Sequence, residues 1–534
     1  MRGSGTQGQS AGWCRGWRRV VRATGALTLT GALAVAAASC GGSNGNDAKD
    51  KATPAGGKTL TVGQLGIPRS LDPMLNDPGQ AWYTMVAYDP LLYKRPDGTV
   101  VGQLAEKWGF VGSNNRTFDI TLRPGVKFSD GTELTAEILK KSLLRLRDAG
   151  GPVSNFATYK SIDVTGPRTL RLHLSEANPI FADRLTQGVA GEAITCQKGL
   201  DDPKVLKRET CGTGPYMLDA AATVTSDHYT YVPNPHYWNK KAVRYQKIVL
   251  KVISNPEAML NALQTGQIDF SEGDATTLPA AKGAGLKVTG TPILWAGAVL
   301  ADRAGKLAPP LRDVRVRQAL NYAVDRAAIT KAIYGDIGQP TDQLTRPGVP
   351  GYQPLASRYP YDPAKAKQLL AAAGYPNGFK LKILSTPVAN VDRMTQALGS
   401  NWEKIGVKLQ IDSKEPNKYG EDLFTDKYPA QEIIVAADHP YVNGKALFTP
   451  EAPRNPFHTV DPQVESLYQQ GNAAPPEQAA TLYGQLEQRL VDQAWFVPVS
   501  LVKLFYYSRS TVAGAETTPA VPSVDVRQLS PAGT

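Results

Sequence analysis

The segment TFDITL at 117–122 alternates polar and apolar side chains with a period of two, which places Phe118, Ile120 and Leu122 on one face of a half-buried strand. Leu60-Thr61-Val62, residues 169–174, residues 248–252 and the set Val407, Leu409 and Ile411 repeat the pattern. Segments with helical spacing lie between them. Thr135 is placed to cap a helix running to about Arg147, with Leu139, Leu143 and Leu146 on one stripe. At 361–376, Asp362 is an N-cap, Pro363 takes the first helical position, an Ala/Leu body follows, and Gly374 and Pro376 stop the helix. Val316, Leu320, Ala323 and Val324 form a further stripe expected in a core. Strands and helices interleaved in this way indicate an α/β protein. At 534 residues the chain exceeds what one core holds, which predicts two or three domains.

Residues 1–40 read as a leader rather than as part of the fold. Arg2, Arg15, Arg18, Arg19 and Arg22 come with no acidic residue, an Ala/Leu-rich stretch runs from about Ala23 to Ala38, and Ser39-Cys40 closes it. That is the order of a secretory signal, and the apolar stretch falls short of the ~20 residues that span a bilayer. Ala37-Ala38-Ser39-Cys40 resembles a bacterial lipobox, with Ala where Leu is commoner three positions before the cysteine. Two acyl chains on Cys40 would anchor the chain stably, because each buried CH₂ contributes ~0.8 kcal/mol. The pair Arg18-Arg19 leaves both the general secretory and the twin-arginine export routes open. Residues 41–58, GGSNGNDAKDKATPAGGK, lack apolar periodicity and read as a flexible tether. The look-alikes inside or bordering it, GGSNG for a nucleophile elbow and ATPAGGKT for a phosphate loop, have no strand before them. The expected location is the outer face of the cytoplasmic membrane.

Five of the eleven units of formal positive charge are those leader arginines, so the remaining chain is only mildly basic. Lys240, Lys241, Arg244 and Lys247 then form a solvated face rather than a nucleic-acid footprint, and no nucleic-acid partner is expected. Of the four cysteines, Cys14 leaves with the leader and Cys40 carries lipid. Cys196 and Cys211 remain, an even pair in an oxidising compartment, which predicts a disulfide, with two buried thiols as the alternative. His173, His228, His236, His439 and His458 fall in no metal-ligand spacing, so neither a metal site nor a cofactor is expected.

A series of longer motifs runs along the mature chain. Ser70-Leu71-Asp72-Pro73 and Tyr88-Asp89-Pro90-Leu91-Leu92 come first, followed by Gln103-Leu104-Ala105-Glu106-Lys107-Trp108 and FDITLRPGVKFSDGTELTA at 118–136. Gly212-Thr213-Gly214-Pro215-Tyr216, Asn234-Pro235-His236-Tyr237-Trp238, Gly266-Gln267-Ile268-Asp269, RDVRVRQALNYAVDR at 312–326 and the segment 361–379 complete it. In this order they resemble the extracellular solute-binding proteins of ABC importers, in the oligopeptide, dipeptide and nickel-binding family. Each piece also has a plain structural reading. The segment 123–128 is a hairpin with a proline-glycine turn, and the glycines at 212–214 give backbone freedom to a crossing between domains.

The resemblance implies a two-lobed fold of the type II periplasmic-binding-protein kind with an extra domain inserted on the first lobe. Lobe I would comprise 59–90, 208–294 and 502–534, the inserted domain 91–207, and lobe II 295–501. A solute would be enclosed in the cleft by hinge closure and handed unaltered to a membrane permease by a monomeric carrier. In peptide-binding members an aspartate after a Trp-x-Ala segment pairs with the peptide's amine. Val435-Ala436-Ala437-Asp438 occupies that place here, so Asp438 is expected to anchor an ammonium, with His439 beside it and Trp295 as a candidate aromatic wall. Asp438 acting only as a turn cap before Pro440 is the bland reading. Val435 in place of the tryptophan, and His439-Pro440 after the aspartate, depart from the pattern and bear on peptide specificity. A metal chelate as ligand, a sensor without import, and an exported peptide hydrolase are the competing functions. No nucleophile and base stand in a credible setting for the last.

Overall fold

The computed structural model describes residues 59–75, 78–149, 157–188, 193–353 and 358–533, and the strands among them gather into two main sheets. The leader, Cys40 and the tether lie outside the described residues. The smaller sheet is antiparallel, in the order Ala105–Phe110, Thr117–Leu122, Thr169–Leu174, Tyr159–Gly166. Phe118, Ile120 and Leu122 are buried on one face of it, as period two requires, and Leu139 and Leu143 of the helix Ala136–Asp148 share their core. Thr135 caps that helix, its hydroxyl accepting the Ile138 N–H at 3.3 Å. Cys196 and Cys211 are joined in a disulfide at the margin of the same core, with Cα atoms 5.6 Å apart.

The segment carrying this sheet leaves and rejoins the rest of the chain at one place. Gly214 donates its N–H to the Ala87 carbonyl at 3.0 Å, and Tyr216 donates to Val86 at 3.2 Å. A Cβ on Gly212 would strike the Ala87 carbonyl oxygen, and one on Gly214 would press on the Ala87 and Tyr88 backbone. Close approach of two chains, rather than conformational freedom, is therefore what demands glycine here. The proline-glycine corner at 124–125 turns the chain, but the paired hairpin is the next one, where Lys127 bridges Glu133.

The larger sheet has eleven strands. From one edge it runs Lys408–Ser413, Lys380–Ser385, Ala430–Ala436, Lys287–Leu300, Phe496–Ser508, Phe270–Glu272, Thr59–Gln64, Lys247–Val252, His228–Pro233 and Tyr216–Leu218, with Gly338–Pro340 also paired to Phe496–Ser508. Lys287–Leu300 and Phe496–Ser508 form a long antiparallel ribbon through its middle. On one side of an irregularity between Pro292 and Leu294 the ribbon continues toward Phe270–Glu272, and on the other Lys287–Leu300 pairs with Ala430–Ala436. An extra residue at such a point bends the strand and increases its twist.

Separate cores cover the two ends. Leu60, Val62, Tyr83, Tyr231, Ile248 and Leu250 pack together with Val524 and Val526 from the C-terminal segment. At the other end Val316, Leu320, Ala323 and Val324 are buried as their stripe predicts, beside Ile383, Leu398 and Trp402. The helix Pro363–Ala372 starts with Asp362 accepting the Lys365 N–H at 2.8 Å, and Gly374 follows its end with φ +89°. Ile411 departs from expectation. It lies on the edge strand Lys408–Ser413 and is 39% exposed, where the layers that bury side chains of the inner strands thin out.

Candidate functional site

The strands Lys380–Ser385, Lys408–Ser413 and Ala430–Ala436 are mutually parallel, and the crevice beyond the carboxyl ends of parallel strands is where open α/β sheets take ligands. The chain leaving Ala430–Ala436 carries Ala437, whose N–H donates to the Ile293 carbonyl at 2.6 Å, and then Asp438. Asn443 fixes the backbone at this point. Its Oδ1 accepts the Asp438 N–H at 3.4 Å, and its Nδ2 donates to the Asp438 carbonyl at 2.8 Å. One carboxylate oxygen of Asp438 accepts the His439 N–H at 2.7 Å. The other faces away from this turn, so the residue does more than cap it.

What that second oxygen meets comes from the other side of the molecule. Arg184, in the short helix Phe181–Arg184, places Nη2 3.2 Å from Asp438 Oδ2. Tyr441 donates its hydroxyl to Glu176 Oε1 at 2.6 Å, and the Lys445 ammonium pairs with the same oxygen. Asn115 donates to the carbonyls of Asn472 at 3.0 Å and Ala474 at 3.3 Å, while Ile180 is buried in the core formed around Tyr441 and Tyr468. Residues from the small-sheet segment thus line one wall of a seam, and residues 438–474 line the other.

The electrostatics of the seam are uneven. Arg346 is nearly buried and donates to the carbonyls of Ala437 at 2.9 Å and Pro519 at 3.0 Å, and among the described residues it has no carboxylate at ion-pair distance. Burial pulls its pKa down and the Asp438 charge opposes that pull. Lys94 pairs with Asp183 at 2.6 Å. For Asp438, burial works to raise the pKa, but the Arg184 guanidinium and the His439 N–H outweigh it and hold the carboxyl below the ordinary range. His439 is pushed down to about 4 by burial, against the pull of Asp438 and Asp183, so its ring is neutral near pH 7. Its Nδ1 accepts the Tyr441 N–H at 3.1 Å, and its ring meets Tyr483 edge-on at 5.1 Å.

Trp295 lies in the same core as Ile180, Tyr441 and Tyr468, beneath the seam rather than open to it. Its side chain is fully enclosed, its N–H donates to the Gln343 carbonyl at 3.1 Å, and its ring meets Phe496 edge-on at 6.1 Å. With all its surface covered and its one polar atom committed, the indole has nothing to offer a solute in this conformation, which corrects its expected place in the cleft wall. A separate pocket of about 390 Å³, bordered by Asp325, Asp342, Tyr352 and Tyr361, holds none of Trp295, Asp438 and His439. Among the described residues one trio could in principle hold a metal, Asp130 with Cys196 and Cys211, but both sulfurs are spent on the disulfide. No helix among the described residues is long and apolar enough to cross a membrane. Arg184, Arg346 and Glu176 were not legible as site residues, since each sits in a segment with no distinguishing sequence pattern.

The chain matches the bacterial extracellular solute-binding proteins, family 5 (middle), over residues 99–443. It is 28% identical over 421 residues to heme-binding protein A of Haemophilus influenzae, an alignment covering 72% of this chain and 75% of that protein. It is also 28% identical over 335 residues to the glutathione-binding protein GsiB of Salmonella typhimurium, covering 61% of this chain and 63% of that one. Among solved structures, HbpA2 from Haemophilus parasuis superposes with a TM-score of 0.77 at 22% identity, covering 89% of this chain and all of the other. The fold is that of the type II periplasmic binding proteins. The matching family is one of solute-binding proteins rather than enzymes, and the hydrolase alternative finds no support in it. A family match over residues 99–443, more than half of the chain, makes this protein a member of the bacterial extracellular solute-binding proteins of family 5.

Proposed function

We propose that this chain captures short peptides or similarly small polar solutes at the Asp438 seam and delivers them to the permease of an ABC importer. The supporting observation is the meeting of Asp438 and Arg184, charged groups from two separately cored parts of the chain, at the carboxyl end of parallel strands. A solute held there touches both parts, so its binding favours closure over opening. In this reading lobe I comprises 59–90, 208–294 and 502–534, the inserted domain 91–207, and lobe II 295–501. The two-stranded ribbon around Pro292 is the hinge. Cys40 carries the lipid that keeps the monomeric carrier on the outer face of the cytoplasmic membrane.

Native mass spectrometry of freshly purified protein, followed by calorimetry with a set of di- to pentapeptides, tests the reading. Release of a peptide-sized solute and saturable peptide binding support it. A co-purified metal chelate with no peptide binding would replace it with the nickel-type alternative. For the anchor, Cys40→Ala should move the protein from the membrane fraction into the medium, and retention on the membrane would refute lipidation at that residue.

A further inference from the structure

Three strands at one end of the large sheet, Lys247–Val252, Thr59–Gln64 and Phe270–Glu272, are parallel to one another. Phe270–Glu272 runs against Phe496–Ser508, which runs against Lys287–Leu300, so all three head the same way as Lys287–Leu300. Ala430–Ala436, Lys380–Ser385 and Lys408–Ser413 head the opposite way. The carboxyl ends of the two sets therefore converge on the middle of the ribbon. Glu272 stands level with Thr289, both being paired to Tyr506, and Ala436 is paired to Leu294. From Thr289 to Leu294 is at most about 17 Å of extended chain. Parallel sheets take ligands outside their carboxyl ends, and here two such ends share one crevice.

The packing determines which face of the sheet is open there. On one face a single core continues past the irregularity of the ribbon, from Met259 and Leu263 through Val502 to Ile383 and Trp402. On the other face the core is divided, with one cluster around Phe270 and Tyr506 and another around Trp295 and Tyr441. Ile180 joins the second cluster, so the divided face is the one that carries the Asp438 seam. Glu272 follows Phe270 by two residues, and a period of two puts its side chain on that same face.

Glu272 is exposed, and among the described residues it has no hydrogen bond and no ion pair. Surrounding protein nevertheless strips enough water from its carboxyl to raise its pKa. A side chain that is both accessible and crowded stands in a concavity. Leu65 and Ile67, each about half exposed, follow the neighbouring strand Thr59–Gln64 at the same edge. The Tyr83 hydroxyl donates to the Gly66 carbonyl between them at 2.8 Å and holds that loop. An unpaired carboxylate that has lost hydration gives the free protein nothing in return. What it lacks is a cation, and the two apolar side chains beside it suit an aliphatic stem.

We infer that Glu272 is a second anchor of the solute site, and that this chain prefers solutes carrying a cationic side chain, lysine or arginine, besides the amine that Asp438 takes. A tripeptide extends over about 10 Å, so a basic side chain at its second or third position covers the rest of the gap. The inference rests on the Asp438 seam belonging to the solute site, as proposed above.

The test compares Ala-Lys-Ala and Ala-Ala-Lys with the same peptides carrying norleucine in place of lysine, each titrated calorimetrically into the full mature protein. Norleucine keeps the aliphatic stem and lacks the ammonium. At one position or the other the lysine peptide should bind at least about tenfold tighter, the return of a charge-assisted hydrogen bond. Glu272→Gln should bring that ratio toward one, and Glu272→Asp, which keeps the charge, should retain part of it. Equal affinities at both positions, or a preference for norleucine, overturn the inference while leaving peptide capture standing. A lysine preference that survives Glu272→Gln assigns the ammonium to another group and overturns it as well. Binding of no peptide at all removes the proposed function together with it. If Glu272→Gln does not fold, Glu272→Ala takes its place in the same comparison.

Discussion

Arg184 Nη2 and Asp438 Oδ2 lie 3.2 Å apart although 254 residues separate them in the chain. The pair ties a helix of the small-sheet segment to the end of a strand in the large sheet, so it reports directly on whether the seam is shut.

Replacing Asp438 by alanine should abolish or sharply weaken solute binding. A charge-assisted hydrogen bond is worth about 1.5–3 kcal/mol, or roughly 10- to 100-fold in affinity. The Asp438 side chain is 39% exposed, but Arg184 opposite it is only 10% exposed and loses this ion pair, so the melting temperature should fall modestly as well. Unchanged affinity by calorimetry would show that the solute sits elsewhere.

Glu432 is fully buried on the strand Ala430–Ala436, and neither carboxyl oxygen has a hydrogen-bond partner among the described residues. Burial holds its pKa well above the ordinary range. The unfolded chain releases this proton from about pH 4.3 upward, while the folded chain retains it to a much higher pH. Stability from this group is thus complete at acid pH and declines as pH rises, by about 1.4 kcal/mol per unit within the window. Glu432→Met should be more stable than the wild type at pH 7 and lose that part of the pH slope. Denaturant titrations from pH 4 to 8 measure both, and a slope shared by the two proteins would contradict the assignment.

His439 acts in the opposite direction. Its folded pKa, lowered to about 4, lies below the roughly 6.5 of an unfolded histidine, so its contribution is present above pH 6.5 and is lost as pH falls toward 4. His439→Gln should flatten the acid limb of the stability curve, which thermal melts across pH 4–7 would record. An unaltered acid limb would show that the ring titrates normally.

Glu176 receives both Tyr441 and Lys445 across the seam, yet its side chain is 38% exposed. Exposed pairs of this kind contribute at most about 1 kcal/mol. Glu176→Ala should therefore leave the melting temperature nearly unchanged while enlarging the radius of gyration of the solute-free protein in X-ray scattering. An unchanged radius would mean that the remaining contacts suffice to keep the seam shut.

The disulfide closes a loop with a sequence separation of 15 residues, worth about 3 kcal/mol in the chain-entropy account. Reduction should lower the melting temperature, and alkylation should then add two labels at Cys196 and Cys211. Two labels without reductant would mean that the thiols are free.

Local features were legible because local physics decides them. Asp362, Pro363 and Gly374 mark a helix through interactions within a few residues, and TFDITL buries one face whatever lies opposite. Features set by distant pairing were not. Nothing around Arg184 announces that it meets Asp438, and Trp295 reads as a candidate wall until Phe496 and Gln343 close over it. That Lys287–Leu300 and Phe496–Ser508 are single long strands, running through positions 294 and 501, was likewise not visible in sequence, because their pairing is with each other across about 200 residues. Ile411 alternates like a buried residue and is left at an edge, which only the order of strands determines.

The small-sheet segment departs and returns through backbone groups bonded to each other, with Gly214 against Ala87. Topologically it is a pendant: cutting both stalks and splicing the stumps leaves the large sheet's strand order and threading untouched. Such an appendage can be resized, or exchanged for one with a different face, without refolding the frame that carries Asp438. If the seam takes the solute as proposed, one wall of it is thereby free to diversify while the other stays fixed.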